Sequence, residues 1–271
     1  MLSKPLQHWL PWRVVHKDSV STPCRPVFDG STKCPVLDDG TGGHCLNNLT
    51  MKGRISTLDL LTMLLRFGVG RHACAGDLKQ FYCSIDLDES QYNLQRVLWK
   101  EGMDLDSEVV ELVIVTLIYG IRCVSALSEK AILEVADHIS QNFPRLADLL
   151  VNGRYVDDLA DSDTTEVVIK NLIDTANDVF DSVGLRCKGW TVSGAPPHPD
   201  CTHDGLGIDV GGMTWWPQTY SVMIKIPPLH FGKKSRGKLT IGTEVFDGTY
   251  ADLIKFVPEK VTRRQVVSKL G

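Results

Sequence analysis

Tyr155-Val156-Asp157-Asp158 sets two carboxylates side by side, after the apolar run Leu149-Leu150-Val151 and the breaker Asn152-Gly153-Arg154. Leu159-Ala160 and the polar Asp161-Ser162-Asp163 follow. This order reads as a hairpin whose strands are the apolar runs and whose tip carries the acids. Adjacent carboxylates repel, so keeping both ionised calls for a cation, and hard oxygen donors suit magnesium. A solvated Asp-Asp turn is the plainer alternative. Asp77 shifts the balance, because it closes His72-Ala73-Cys74-Ala75-Gly76 and opens Asp77-Leu78-Lys79-Gln80-Phe81-Tyr82. It too is expected where a strand gives way to a loop. Three carboxylates at strand ends are the donor set that a pair of divalent ions requires.

The chain has 271 residues, 43% of them hydrophobic, enough to bury the core of one large domain or two small ones. Its most apolar run, Val109 to Ile121, is too short to span a bilayer and contains Glu111. Met1 to Trp12 has no continuous apolar stretch followed by a small-residue cleavage site. No membrane anchoring is expected. Eight cysteines, at 24, 34, 45, 74, 83, 123, 187 and 201, form no Cys-x-x-Cys pair. Their scatter favours free thiols in a reducing, intracellular compartment, cytoplasm or nucleus, over disulfides or zinc. His44-Cys45 near Cys34 is the one zinc-like grouping.

Net charge is -4, but unevenly spread. Residues 221–271 carry ten Lys or Arg against four Asp or Glu, a net of +6, leaving -10 on residues 1–220. The acidic part suits metal and the basic part suits phosphate. Lys233-Lys234-Ser235-Arg236-Gly237-Lys238 by itself also reads as a solvated loop.

Upstream, Arg13-Val14-Val15 and Arg25-Pro26-Val27-Phe28-Asp29 read as the strands of a hairpin turning at Lys17-Asp18-Ser19. Lys17 and Arg25 on neighbouring strands can grip a polyphosphate, or be two exposed strand cations. Residues 29–45 lack periodicity and read as loop. Ser56 to Phe67 is expected as a helix with Leu60, Leu61, Leu64 and Leu65 on its apolar face and Gly68 as its stop. Tyr92 to Trp99 reads as a strand, Val109 to Ile118 as a buried strand, and Ser125 to Ile139 as a helix aligning Ile132, Val135, Ala136 and Ile139. Asp163-Thr164-Thr165-Glu166 has capping-box spacing for a helix burying Val168, Leu172, Ala176, Val179 and Phe180 and ending at Gly184. Strand, helix, double-acid hairpin, helix, strand is the order of a split βαβ unit, an antiparallel sheet backing the acids.

These pieces now form an ordered set: Arg25-Pro-Val-Phe-Asp-Gly-Ser, Leu46-Asn47-Asn48 with Lys52-Gly53, Asp77-Leu-Lys-Gln-Phe-Tyr, Tyr155-Val-Asp-Asp-Leu, Lys188-Gly189-Trp190 and Leu206-Gly207-Ile208. In that order they resemble reverse transcriptases, most closely those of Pao-type (BEL-like) long-terminal-repeat retrotransposons. The resemblance runs from about Trp9 to the end. It implies an α+β fold, the fingers and palm of a right-hand polymerase with an antiparallel palm sheet and a partial thumb. Residues 1–76 would be fingers and 77–215 palm, with a finger insertion near 88–110. Residues 216–271 would be part of a thumb or connection.

The same resemblance implies RNA-directed DNA polymerase activity. Asp77, Asp157 and Asp158, with the Leu78 carbonyl, would hold two magnesium ions, manganese being an alternative. Lys17 and Arg25 would grip the incoming deoxynucleoside triphosphate, with Tyr119 and Gly120 beside it. Lys188 would lie near the leaving group. Tyr82 would pack beneath the sugar and exclude a 2′-hydroxyl, although a core aromatic beside Phe81 is equally compatible with the residues. Leu206, Gly207 and Ile208 would open the primer grip. The partners are then an RNA or DNA template with its primer, and the basic tail is expected along that duplex. Where the family has Pro-Phe-Gly-Leu and Ser-Ser-Pro, this chain reads Ile118-Tyr119-Gly120-Ile121-Arg122-Cys123-Val124-Ser125-Ala126, with both prolines gone and Arg122 added. A catalytically inactive retrotransposon remnant that keeps the palm fold and binds nucleic acid therefore stands beside the polymerase.

Overall fold

The structure, a computed structural model, describes residues 7–16, 23–36, 38, 40, 42–54, 60–102, 106–199, 207–224, 237–241, 244–248 and 261–262. Along the chain run β1 (Trp12–His16), β2 (Cys24–Phe28), α1 (Leu46–Leu49), α2 (Leu60–Val69), β3 (His72–Leu78), β4 (Arg96–Lys100), β5 (Val109–Val113), α3 (Val124–Ile139) and α4 (Pro144–Asn152). There follow β6 (Arg154–Tyr155), β7 (Asp158–Asp163), α5 (Glu166–Ser182), β8 (Cys187–Val192), β9 (Ile208–Val210), β10 (Met213–Trp216), β11 (Ser221–Ile224), β12 (Gly237–Ile241), β13 (Glu244–Gly248) and β14 (Val261–Thr262). The chain divides into two compact units, each made of two segments: Met1–Thr57 with Gln80–Val135, and Leu58–Lys79 with Ala136–Gly271.

In the first unit β1 and β2 form one antiparallel ribbon and β4 and β5 another. Trp12 ties them: its ring stacks on Trp99 at 5.3 Å, and its Nε1 donates to the Leu98 carbonyl at 3.0 Å. The expected buried strand over Val109–Ile118 is corrected. β5 stops at Val113 with all five side chains exposed, because its ribbon is two strands wide; burial begins at Leu117 and Ile118. Tyr92 to Leu94, expected in the strand before it, instead finish a 3-10 turn, Glu89–Leu94, started by Asp88, whose side chain accepts from the Ser90 amide.

The second unit holds a four-stranded antiparallel sheet ordered β6-β7-β3-β8. β3 is short-chained, with Ala73, Cys74, Ala75 and Leu78 buried, so α2 can approach it closely. The α2 face differs from expectation. Met63 and Phe67 are fully buried with Leu60 and Leu64 beside them, whereas Leu61 is exposed; leucine content alone could not separate two stripes offset by one position. Gly68 lies inside the helix, and Gly70 makes the exit, where any side chain would strike the Asp163 backbone. Phe67 meets Trp215 of β10 edge-on at 5.0 Å in a core shared with Ile208, Val210, Met213 and Val222.

Leu149-Leu150-Val151 is also corrected, from strand to helix. Pro144 starts α4, Leu146, Leu149 and Leu150 are buried at helical spacing, and the Gly153 amide closes the last turn on the Leu149 carbonyl at 2.8 Å. The hairpin therefore has a very short first strand, β6. α5 matches its expected extent, with Ile169 rather than Val168 at the centre of the buried face; Thr165 makes no side-chain cap, and Asp163 accepts from its amide at 3.1 Å instead. β9 and β10 form a hairpin extended by β11 and β14, while β12 and β13 pair separately.

Candidate active site

Each acid owes its place to backbone pairing. β3 and β7 are antiparallel in a register that opposes Ala75 to Ala160, Gly76 to Leu159 and Asp77 to Asp158. The Leu78 amide continues the pairing by donating to the Asp157 carbonyl at 2.8 Å. On the other side of β3 the β8 register slips between Gly76 and Leu78, so Asp77 sits at an irregularity of the kind that re-aims a side chain. Gly76 is required there, since the Trp190 ring and Cys187 Sγ occupy the space its Cβ would take. Trp190 is in turn held through its Nε1 by Asn177 of α5 at 3.0 Å.

The turn from β6 to β7 consists of Val156 and Asp157, with Tyr155 paired to Asp158. Val156 has φ of 57°, a left-handed conformation that costs a β-branched residue about 1–3 kcal/mol. The buried Arg154 guanidinium braces it, donating from Nη1 to the Val156 carbonyl at 2.8 Å and from Nε to the Leu150 carbonyl at 3.2 Å. Sequence reasoning passed over Arg154 as a turn residue; its only signal was its place directly before the acids.

The electrostatics follow from this crowding. Burial raises the Asp157 carboxyl above its ordinary range and Asp77 raises it further, while Lys188 and Arg154 pull it back. Asp158 is pushed up to about 7, first by burial and then by Asp157 and Asp77, against a weak hydrogen bond from the Gly211 amide at 3.3 Å. Asp77 Oδ1 is buried and accepts no hydrogen bond, but Lys188 Nζ lies 2.6 Å away as an ion pair. That contact lacks hydrogen-bond geometry and is a charge contact alone.

A divalent ion fits this donor set chemically: Asp77 raises the pKa of both Asp157 and Asp158, and one of its own oxygens already faces a cation. Among the described residues no three carboxylate, imidazole or thiol groups are already gathered into a cation cage, so occupancy requires these side chains to draw together.

The remaining candidates are dispersed. Ile208 is buried at the start of β9 and Gly207 precedes it, packed against Thr214, while Leu206 lies outside the described residues. Arg25, Tyr82, Tyr119 and Gly120 belong to the first unit. Arg25 is exposed on β2 opposite Val15; Lys17 lies outside the described residues, as do Lys233, Lys234 and Arg236 of the basic tail. Tyr82 is buried, in ring contact with Phe81 at 5.6 Å and Tyr119 at 4.6 Å. Gly120, at φ 95°, leaves no space for a side chain against the Phe28 carbonyl. Its own carbonyl accepts from Asn47 Nδ2 at 3.0 Å, and Asn47 Oδ1 accepts from the Arg122 amide at 2.7 Å. Asn47 thus clamps both sides of the loop around Gly120. No free Cys or His forms the zinc grouping: Cys34 and His44 meet through backbone, and no metal cluster is present among the described residues.

A split sheet of this topology, with helices behind it, is a reverse-transcriptase-like fold. The chain is similar to the foamy viral protease-reverse transcriptase in complex with RNA/DNA hybrid over 82% of its length, at 14% identity with a TM-score of 0.53. This chain spans 24% of the length of that one. The native prototype foamy virus protease-reverse transcriptase is also similar, at 14% identity over 68% of this chain and 20% of its own, with a TM-score of 0.46. No protein-family model matches the chain, nor does any curated protein. Among the described residues no helix is long and apolar enough to cross a membrane.

Proposed function

We propose that this chain is the fingers and palm of an RNA-directed DNA polymerase of the Pao type, joining deoxynucleoside triphosphates to a primer 3′-hydroxyl on an RNA or DNA template. The carrying observation is the register that sets Asp77 opposite Asp158 with Asp157 at the adjoining turn. On this reading residues 1–76 are fingers, 77–215 palm and 216–271 part of a thumb or connection. Asp77, Asp157, Asp158 and the Leu78 carbonyl would hold magnesium or manganese. When bound, the ions lower the pKa of the attacking hydroxyl and neutralise the leaving pyrophosphate. The protein's own groups do the rest. The slipped β8 register beside Asp77 and the turn braced by Arg154 hold the backbone that carries the carboxylates, so only side chains move to take up metal. Arg25 and Lys17 bind triphosphate, Tyr82 excludes a ribose hydroxyl, and the β9–β10 hairpin from Gly207 and Ile208 holds the primer end.

A nucleic-acid-binding remnant without activity is the second reading, and the altered Ile118 to Ala126 loop favours it. Primer extension on an RNA template with magnesium separates the two. Incorporation of deoxynucleotides supports the polymerase. Duplex binding without incorporation, in magnesium and in manganese, leaves the remnant.

A further inference from the structure

The geometry points to Lys188 as a resident cation that competes with divalent metal for Asp77, so that metal enters by displacing an ammonium. Lys188 Nζ lies 2.6 Å from Asp77 Oδ1, an oxygen that is otherwise buried and accepts no hydrogen bond. That oxygen spends one of its lone-pair positions on the ammonium, which crowds the approach of a small dication, whose ligands lie at about 2.0–2.1 Å for magnesium. Charge leads to the same place: an ammonium 2.6 Å from Asp77 repels a dication brought to that carboxylate, and moving it away removes the repulsion. The pair is also reachable, the two side chains being 33% and 31% exposed. β8 supplies the hold, because the Leu78–Cys187 pairing beyond the slipped register carries Lys188 next to the strand position of Asp77. An ion pair at this exposure contributes little to stability, so its removal should leave the protein folded and the metal measurement readable.

The inference rests on the polymerase reading only for the purpose of the metal; the competition itself is a property of the apo protein. Manganese binding is measured by electron paramagnetic resonance on the full chain without nucleic acid or nucleotide, for the parent, Lys188→Met, Lys188→Arg and Asp77→Asn. Lys188→Met should bind manganese roughly tenfold tighter or more, Lys188→Arg about as the parent, and Asp77→Asn more weakly. Circular dichroism reports the fold, and Lys188→Gln carries the same expectation should Lys188→Met not fold. Equal or weaker binding in the neutral variant overturns the inference, as does a failure of both proteins to bind manganese at millimolar concentration. Primer extension run in parallel keeps the two claims apart. Tighter manganese binding with no extension by the parent leaves the competition standing and sinks the polymerase. Extension by the parent with unchanged manganese affinity in the variant does the reverse.

Discussion

Arg66 donates from Nε to Asp161 Oδ1 at 2.8 Å, across 95 positions of chain, and that carboxylate is 1% exposed. Arg145 holds its second oxygen at 3.0 Å, and the two guanidiniums reach on to Asp148 and Asp163. Burial alone would lower the Arg66 pKa, but hydrogen bonds to Asp161 and Asp148 raise it above its ordinary value. The network ties α2 and α4 to β7, the strand that begins at Asp158.

Asp161→Ala should therefore destabilise the protein by about 3–5 kcal/mol, since two guanidiniums are left facing an uncharged cavity. Removing Asp181, an exposed partner of Arg186 at 3.6 Å, should cost about 0–1 kcal/mol. Urea unfolding of the two variants checks the contrast, and comparable losses would show that burial of the network contributes nothing.

Asp77→Asn or Asp157→Asn should abolish primer extension and leave the fold intact. Losing one carboxylate weakens ion binding and removes stabilisation of the charged transition state, an effect of about 3 kcal/mol or more. Parent-like extension by Asp157→Asn would show the assignment of metal ligands to be wrong.

The raised Asp158 pKa gives stability a definite pH dependence. Its folded value, about 7, exceeds the ordinary 3.8, so between those values the native state binds more protons than the unfolded chain. The contribution of Asp158 is fully present below the unfolded value, declines through that window and is lost above it. Asp158→Asn should accordingly gain stability over the parent at about pH 8 that it does not gain at about pH 4, in metal-free buffer. Magnesium should narrow the gap by favouring the parent's ionised form. An equal difference at both pH values would contradict the burial and repulsion described for this carboxyl.

Tyr82 is both buried and in ring contact with Tyr119, so two effects are expected together. Tyr82→Ala should lose about 3 kcal/mol or more of stability and admit ribonucleotides, whereas Tyr82→Phe keeps the ring and should change neither much. Melting curves and ribonucleotide incorporation are read side by side. Intact discrimination in a destabilised Tyr82→Ala protein would reduce Tyr82 to a core residue.

Placement of the acids at strand ends was legible because Asp77 and Asp158 each border an apolar run, and strand breaks can be read locally. α5 was legible for the same reason, its apolar spacing spanning several turns. Leu149-Leu150-Val151 was not: three consecutive apolar residues have no period, and the helix shows only when Pro144 and Leu146 are included. Asp161 read only as part of a polar run because its partners, Arg66 and Arg145, come from other elements, and pairing across the chain leaves no local mark. The same holds for Lys188 on Asp77 and for Asn47 on the Gly120 loop. β5 misled through its composition, since β-branched residues report strand and not burial.

The sheet order β6-β7-β3-β8 has a consequence for synthesis. β3 is made first but lies between two strands made later, with residues 80–135 translated in between. From the emergence of Leu78 until that of Val192, one or both sides of Ala73-Cys74-Ala75 have no partner, an open template for pairing with another nascent chain. Translation proceeds at about 5–20 residues per second, so the interval lasts several seconds. A chaperone that shields extended apolar chain has that window in which to act, and slow codons between the two segments would lengthen it.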